Sequence, residues 1–115
     1  MKCERGDVAL VDFPNSNLQT FKRRPVLVVS RGDLQTGLDQ ILVAMITSHN
    51  ANWEHPSRAA LSLDSAAGRQ SGIRLDSLIM TDNVATILTV AVVRKLGHLT
   101  DMSTVDAALR HTLCL

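Results

Sequence analysis

KRRPVLVVS, Lys22 to Ser30, is the stretch from which the fold is read. Three cations run into Pro25, and Pro25 opens the apolar run Val26-Leu27-Val28-Val29. β-branched side chains crowd the preceding turn of a helix but sit easily on a pleated sheet. Proline has no N–H to give a ladder, so the spacing predicts a buried strand starting at Pro25. Guanidinium groups fixed at a strand mouth present positive charge rigidly, as a phosphate site requires. The same cations would also suit a solvated basic loop, since charge runs are usually exposed.

Outward from that strand, the pattern is mostly β. Val8 to Phe13 alternates, with Ala9, Val11 and Phe13 on one face and Val8 and Leu10 on the other. Pro14 ends it. The ten residues Asn15 to Arg24 read as a long polar connection, and long loops in small domains are often functional. Gln40 to Ser48 reads as a third strand and Arg58 to Leu63 as a weaker fourth. Asp64 to Ser71 is small and polar, which predicts a turn. Gly72 to Met80 predicts a strand with Arg74 and Asp76 side by side on one face, about 7 Å apart at two strand rises. That pair serves equally as a surface ion pair or as an acid and a cation at a site. Thr81 to Ala85 reads as another turn. Thr86 to Leu96 reads as a strand in its later part, with a strand or a short helical turn before it. From Thr100 the period changes: Met102, Val105, Leu109 and Leu113 recur at three- and four-residue steps, with Ala108 and Thr112 beside them. This is one amphipathic helix, with Thr100 as its cap and Asp101 near its positive end.

Composition narrows the function. A chain of 115 residues fits a single domain, 1–115, able to hold one core. A net charge of +1 excludes a polyelectrolyte binder that works by bulk charge, so any nucleic-acid contact is local. Aromatics are 3% of the chain, which argues against an extended base-stacking surface. Cys3 and Cys114 lack metal-site spacing and are expected as free thiols. No apolar run spans a bilayer and no hydrophobic leader is evident, so a cytoplasmic location is expected.

About six short strands and a terminal helix imply a strongly curved, barrel-like antiparallel sheet. GDVALVDFP (Gly6 to Pro14), KRRPVLVVS, the strand ending in Ile46-Thr47-Ser48, SGIRLDSL (Ser71 to Leu78) and Val93 to Gly97 follow one another in that order. In this the chain resembles the MazF/PemK family of toxins from type II toxin–antitoxin systems. The resemblance implies an SH3-like barrel with a C-terminal helix, usually a homodimer. It implies a metal-independent endoribonuclease with no cofactor that cuts single-stranded RNA at short sequences, and a cognate antitoxin that blocks its groove. By motif, Arg24 matches the family's loop arginine, Thr47 its threonine at the end of the third strand, and Arg74 and Asp76 an Arg-x-Asp pair. Lys22, Arg23, Gln19, Ser48 and His49 are then read as RNA contacts. The first loop departs from relatives in lacking glycine and an acidic residue.

In that chemistry Arg24, a planar fork of donors, suits a phosphorane, and Arg74 suits the same role. Asp76 is the expected base and Thr47 the group that positions the 2′-hydroxyl. His49 is a further candidate for proton transfer because imidazole titrates near neutrality; His55, His98 and His111 read as surface or packing residues. Two other functions fit the same fold: a DNA gyrase-binding poison, and a catalytically silent binding module. The C-terminal Leu113-Cys114-Leu115 lacks the aromatic end that the gyrase poison would use.

Overall fold

The structure is a computed structural model, described for residues 2–15, 17–51 and 53–115. Six strands form one antiparallel sheet: β1 (Asp7–Pro14), β2 (Phe21–Val28), β3 (Gln40–Thr47), β4 (Arg58–Leu61), β5 (Ser77–Leu88) and β6 (Val92–His98), in the order β4-β5-β3-β2-β1-β6. A short helix α1 (Ala66–Ser71) precedes β5, and helix α2 (Ser103–Leu113) closes the chain. The expected mainly-β architecture with a C-terminal helix is present. The expected barrel is open, because strand pairing does not link β4 to β6.

Both faces of the sheet are buried, as the alternation in β1 requires. Ala9, Val11 and Phe13 join Val26, Val28, Ile41, Val43, Ile87 and Val92 in one cluster. Ile87 and Val92 belong to strands far apart in the sheet order, so the sheet curls to bring them together. Val8 points the other way, into a cluster with Leu27, Ile46, Leu61, Ile79, Leu99 and Val105. Val105 and Ala108 carry α2 onto that second face. Full burial of such a Val, Leu or Ile side chain contributes about 1.5–3 kcal/mol.

Four expectations about strands and turns need correction. β2 starts at Phe21, not Pro25, because Phe21 to Arg24 pair with Pro14 to Val11 of β1. Pro25 is tolerated inside the strand because pairing with β3 begins only at Val26, so this stretch of β2 is an edge on that side. The connection before it shrinks to residues 15–20, closed by the Asn15 N–H donating to the Thr20 carbonyl at 2.9 Å. Second, Asp64 to Ser71 is not simply a turn. Ser65 caps α1 by accepting the Gly68 N–H at 3.0 Å, and Gly72 ends it in the left-handed region at φ +74°. Third, Gly72 to Asp76 is a turn, and β5 begins at Ser77. Its backbone is held by side chains where a strand would have a ladder: Ser71 Oγ accepts the Ile73 N–H, and Ser77 Oγ donates to the Leu75 carbonyl. Leu75 is exposed as a result.

Fourth, Thr81 to Ala85 belongs to β5. The ladder with β3 pairs Ala44 with Val84 and Met45 with Met80, so Thr81, Asp82 and Asn83 form a wide irregularity between two paired halves. Turn-type residues there reflect the bend, and pairing on both sides overrides them. Thr81 is buried at this bend. Its N–H and hydroxyl both donate to the Ser57 carbonyl, and its hydroxyl oxygen also meets the Thr112 hydroxyl of α2. A 3-10 turn, Thr89–Ala91, then leads into β6. At the far end α2 begins one residue after Met102 and not at Thr100, whose hydroxyl bonds Gln70; Leu113, expected on the apolar stripe, is exposed.

The N-terminal turn is fixed by a buried carboxylate. Asp7 Oδ2 accepts the Glu4 N–H at 2.8 Å and lies 3.2 Å from Lys95 Nζ, while Oδ1 lies 2.8 Å from His98 Nδ1. Burial alone raises the pKa of Asp7, but these hydrogen bonds outweigh it and hold the carboxyl below its ordinary value. The same hydrogen bond and charge raise Lys95. Cys3, buried beside this group, has its thiol pushed up by burial first and by Asp7 second, the profile of an inert structural cysteine.

Two outcomes are expected. Gly72→Ala places a Cβ 2.1 Å from the Leu96 carbonyl oxygen at a positive φ, so it lowers the urea midpoint by the equivalent of about 2 kcal/mol or more; an unchanged midpoint rules the close approach out. Asp7→Asn costs about 1–3 kcal/mol at neutral pH. The folded-state pKa of Asp7 is depressed, so its stabilisation is full above the unfolded carboxylate value of about 3.9 and is lost as pH falls through the folded value. The gap between wild type and variant therefore narrows in acid; a gap that is constant with pH refutes the clamp.

Candidate functional site

The edge left open on β2 creates the site. Lys22, Arg23 and Arg24 lie opposite Phe13, Asp12 and Val11 of β1, but β3 does not cover them. A cavity of about 410 Å³ opens there, between the mouth of β2, the end of β3 and the turn after α1. Five cations line it: Lys22, Arg23, Arg24, Arg74 and Arg94. Thr47, the last residue of β3, and Ser48 after it line it, and among the described residues no carboxylate does. Among the described residues, Arg23 alone of the five has an ion-pair partner, Asp12 at 3.4 Å, and both side chains are exposed. Such a pair is worth little. Five like charges converging without carboxylates produce a positive potential that an anion relieves.

Arg24 is half-buried, and its guanidinium Nη2 donates to Asn15 Oδ1 at 3.4 Å. It borders a second cavity of about 390 Å³ that is lined by Asn15, Asn17, Thr20 and Asn83. Period-two alternation along β2 puts Arg24 in phase with the buried Val26 and Val28, which explains why this cation alone of the KRR run is partly buried. Thr47 ends β3, and its Oγ1 accepts the His49 N–H at 3.1 Å. One acceptor position of the hydroxyl is thus occupied and the group is oriented.

The sequence-predicted residues divide. Arg24, Thr47, Arg74, Lys22, Arg23 and Ser48 line one cavity. Asp76 does not line it. Because Gly72 to Asp76 is a turn, Arg74 and Asp76 do not share a strand face, and Asp76 Oδ1 accepts the Leu63 N–H at 2.8 Å. Asp76 instead lines two neighbouring cavities beyond Ser48 and Leu75. His49 is exposed and does not line the cavity; its backbone N–H donates to Thr47 Oγ1. Gln19 is exposed in the β1–β2 loop and lines none of these cavities. Arg94 was missed as a site residue. It lies opposite Leu10, itself a lining residue, so pairing β6 against β1 is the signal that finds it.

Residues 4–113 match the family described as PemK-like, MazF-like toxin of type II toxin–antitoxin system. No curated protein matches the chain. Among solved structures, the fold is shared with a mycobacterial endoribonuclease in complex with its cognate antitoxin, at TM-score 0.74 and 20% identity, covering 98% of this chain and 96% of that one. It is shared with the Mycobacterium tuberculosis toxin MazF-mt6 at 0.73 and 20%, covering 95% and 97%. It is shared with MazF from Deinococcus radiodurans at 0.75 and 16%, covering 100% and 99%. At these identities the likeness is one of fold.

Arg94→Ala should weaken binding of a short single-stranded oligonucleotide. It should also reduce the slope of log K against log salt by about 0.7, one phosphate contact's worth. An unchanged slope places Arg94 outside the anion site.

Proposed function

The chain belongs to the PemK-like, MazF-like toxins of type II toxin–antitoxin systems, and from that premise we propose that it is an endoribonuclease that cuts single-stranded RNA at short sequences, with the scissile phosphate seated in the five-cation cavity. The observation that supports this most is the pairing of an oriented hydroxyl, Thr47, with guanidinium groups and no carboxylate in one open groove. Repulsion of the RNA backbone is absent there, and planar forks match phosphate oxygens two at a time.

The reaction is attack of the 2′-oxygen on the adjacent phosphorus with loss of the 5′-oxygen. One P–O bond forms and one breaks, leaving a 2′,3′-cyclic phosphate and a 5′-hydroxyl. Arg24, Arg74 and Arg94 stabilise the added charge on the phosphorane. The open acceptor position of Thr47 receives the 2′-hydroxyl and aims its oxygen at phosphorus. With Asp76 outside the cavity, the proton leaves to water in the groove, and water returns one to the 5′-oxygen. Arginine keeps its proton, and so its charge, across the working pH range, so its role is electrostatic. Neither step calls on a metal ion. A cognate antitoxin segment covering this groove would silence the enzyme, and a homodimer is the expected assembly.

Purified protein incubated with long RNA in EDTA should give discrete cuts bearing cyclic-phosphate ends. Arg24→Ala should lose about 10²–10³-fold in rate while keeping its fold, by the usual worth of one preorganised charge donor. Arg24→Lys should remain poor, because a point charge does not reproduce the fork. Full activity of Arg24→Ala, or dependence on an added metal, contradicts the mechanism.

A further inference from the structure

The groove does not end at the cationic cavity. Ser48 and Leu75 line both that cavity and a neighbour of about 720 Å³, which also holds Asn50, Trp53 and Asp76. Trp53 and Asp76 in turn line a third, of about 570 Å³, with Glu54, His55 and Arg58. The three are continuous through shared residues, and their chemistry changes along the way. The first is lined by cations alone among charged groups, while the far end carries the carboxylates of Asp76 and Glu54.

The far end is built around the only tryptophan of the chain. Trp53 is 52% exposed. The Arg58 guanidinium carbon lies 4.1 Å from the centre of its ring and covers one face. Arg58 is itself fixed by two hydrogen bonds to Asp82, at 3.3 and 2.9 Å. His55 meets the indole edge-on at 6.1 Å. The indole is thus held on one face and at its edge, and it lines the groove with half its surface exposed, the arrangement of a stacking platform with little ordering left to do. Beside it Asp76 uses one carboxylate oxygen on the Leu63 N–H, so the group is held in place with acceptor capacity to spare.

We propose that this end of the groove is a nucleobase subsite: a base next to the scissile phosphate stacks on Trp53, and Asp76 selects bases that carry an exocyclic amino group. The inference rests on the ribonuclease reading and adds to it the determinant of base choice. An ionised carboxylate only accepts hydrogen bonds. It therefore favours the amino groups of adenine, cytosine and guanine and disfavours uracil, which offers carbonyl oxygens in their place. A phosphate belongs at the opposite end, where no carboxylate repels it. Asp76 in this role binds substrate and transfers no proton.

Because Trp53 is the sole tryptophan, its fluorescence reports the contact directly. Wild-type protein is titrated with uncleavable 2′-O-methyl oligomers of A, C and U. The oligomers of A and C quench the emission and bind about tenfold tighter than that of U. Asp76→Asn keeps an oxygen for the Leu63 N–H but turns an amide donor to the base, and shifts the preference toward U. Cleavage sites mapped along a long RNA move in the same direction for that variant. Trp53→Ala loses roughly 10–100-fold in kcat/KM, and Trp53→Phe recovers most of it. Quenching that is absent at saturation, or a Trp53→Ala enzyme as efficient as wild type, overturns the subsite; RNA cleavage that persists in those cases leaves the ribonuclease reading standing. A protein that neither cuts nor binds RNA overturns both.

Discussion

Half-finished pairing of β2 is the constraint on which the structure turns. The strand is paired with β1 from Phe21 to Leu27 but with β3 only from Val26 onward. A fully paired β2 would bury its N-terminal half and with it three cations, of which Arg23 has only an exposed ion pair with Asp12 and Arg24 only a neutral amide oxygen of Asn15. Pro25 stands at the boundary and withholds one ladder donor there. The unpaired edge becomes the wall of the cationic cavity, while Val26, Leu27 and Val28 anchor the same strand in both core clusters. Charge presentation and core packing are consecutive tasks of a single strand.

The other walls follow from how the chain is stopped. Thr47 ends β3 with its hydroxyl tied to the next turn, and Gly72 stops α1 in a conformation that glycine tolerates. The turn from Ile73 to Asp76 is then held by side-chain hydrogen bonds, and this sends Arg74 into the cationic cavity and Asp76 to the far side of Leu75. Two residues that a strand would have aligned serve different parts of one groove. Asp7 contributes from below by fastening the N-terminal turn to β6, the strand that carries Arg94.

Legibility in the sequence followed the range of the interactions. The alternation of β1, the apolar half of β2 and the amphipathic core of α2 were readable because each burial pattern is local. The KRR run, Thr47 and Arg74 were readable by motif, and the fold brings them together. What failed depended on distant partners. Phe21 to Arg24 look like loop until β1 is laid against them. Thr81 to Asn83 look like a turn until β3 is seen to pair on both sides of the bend. Asp76 looks aligned with Arg74 on one strand face until the turn before β5 separates them and the Leu63 N–H holds the carboxylate outside the cationic cavity. Arg94 and Trp53 were not marked as site candidates by their neighbours in sequence: the register against Leu10 brings Arg94 to the cationic cavity, and the Arg58 guanidinium packs on one face of Trp53.

The most direct measurement is a crystal structure of the protein with an RNA oligomer whose scissile 2′-hydroxyl is replaced by hydrogen. The expected result is a phosphate within hydrogen-bond distance of the Arg24 and Arg74 guanidinium groups, with the modified 2′-carbon facing Thr47 Oγ1. A backbone bound elsewhere, with the β2 mouth empty, would contradict the assignment of this groove as the seat of catalysis.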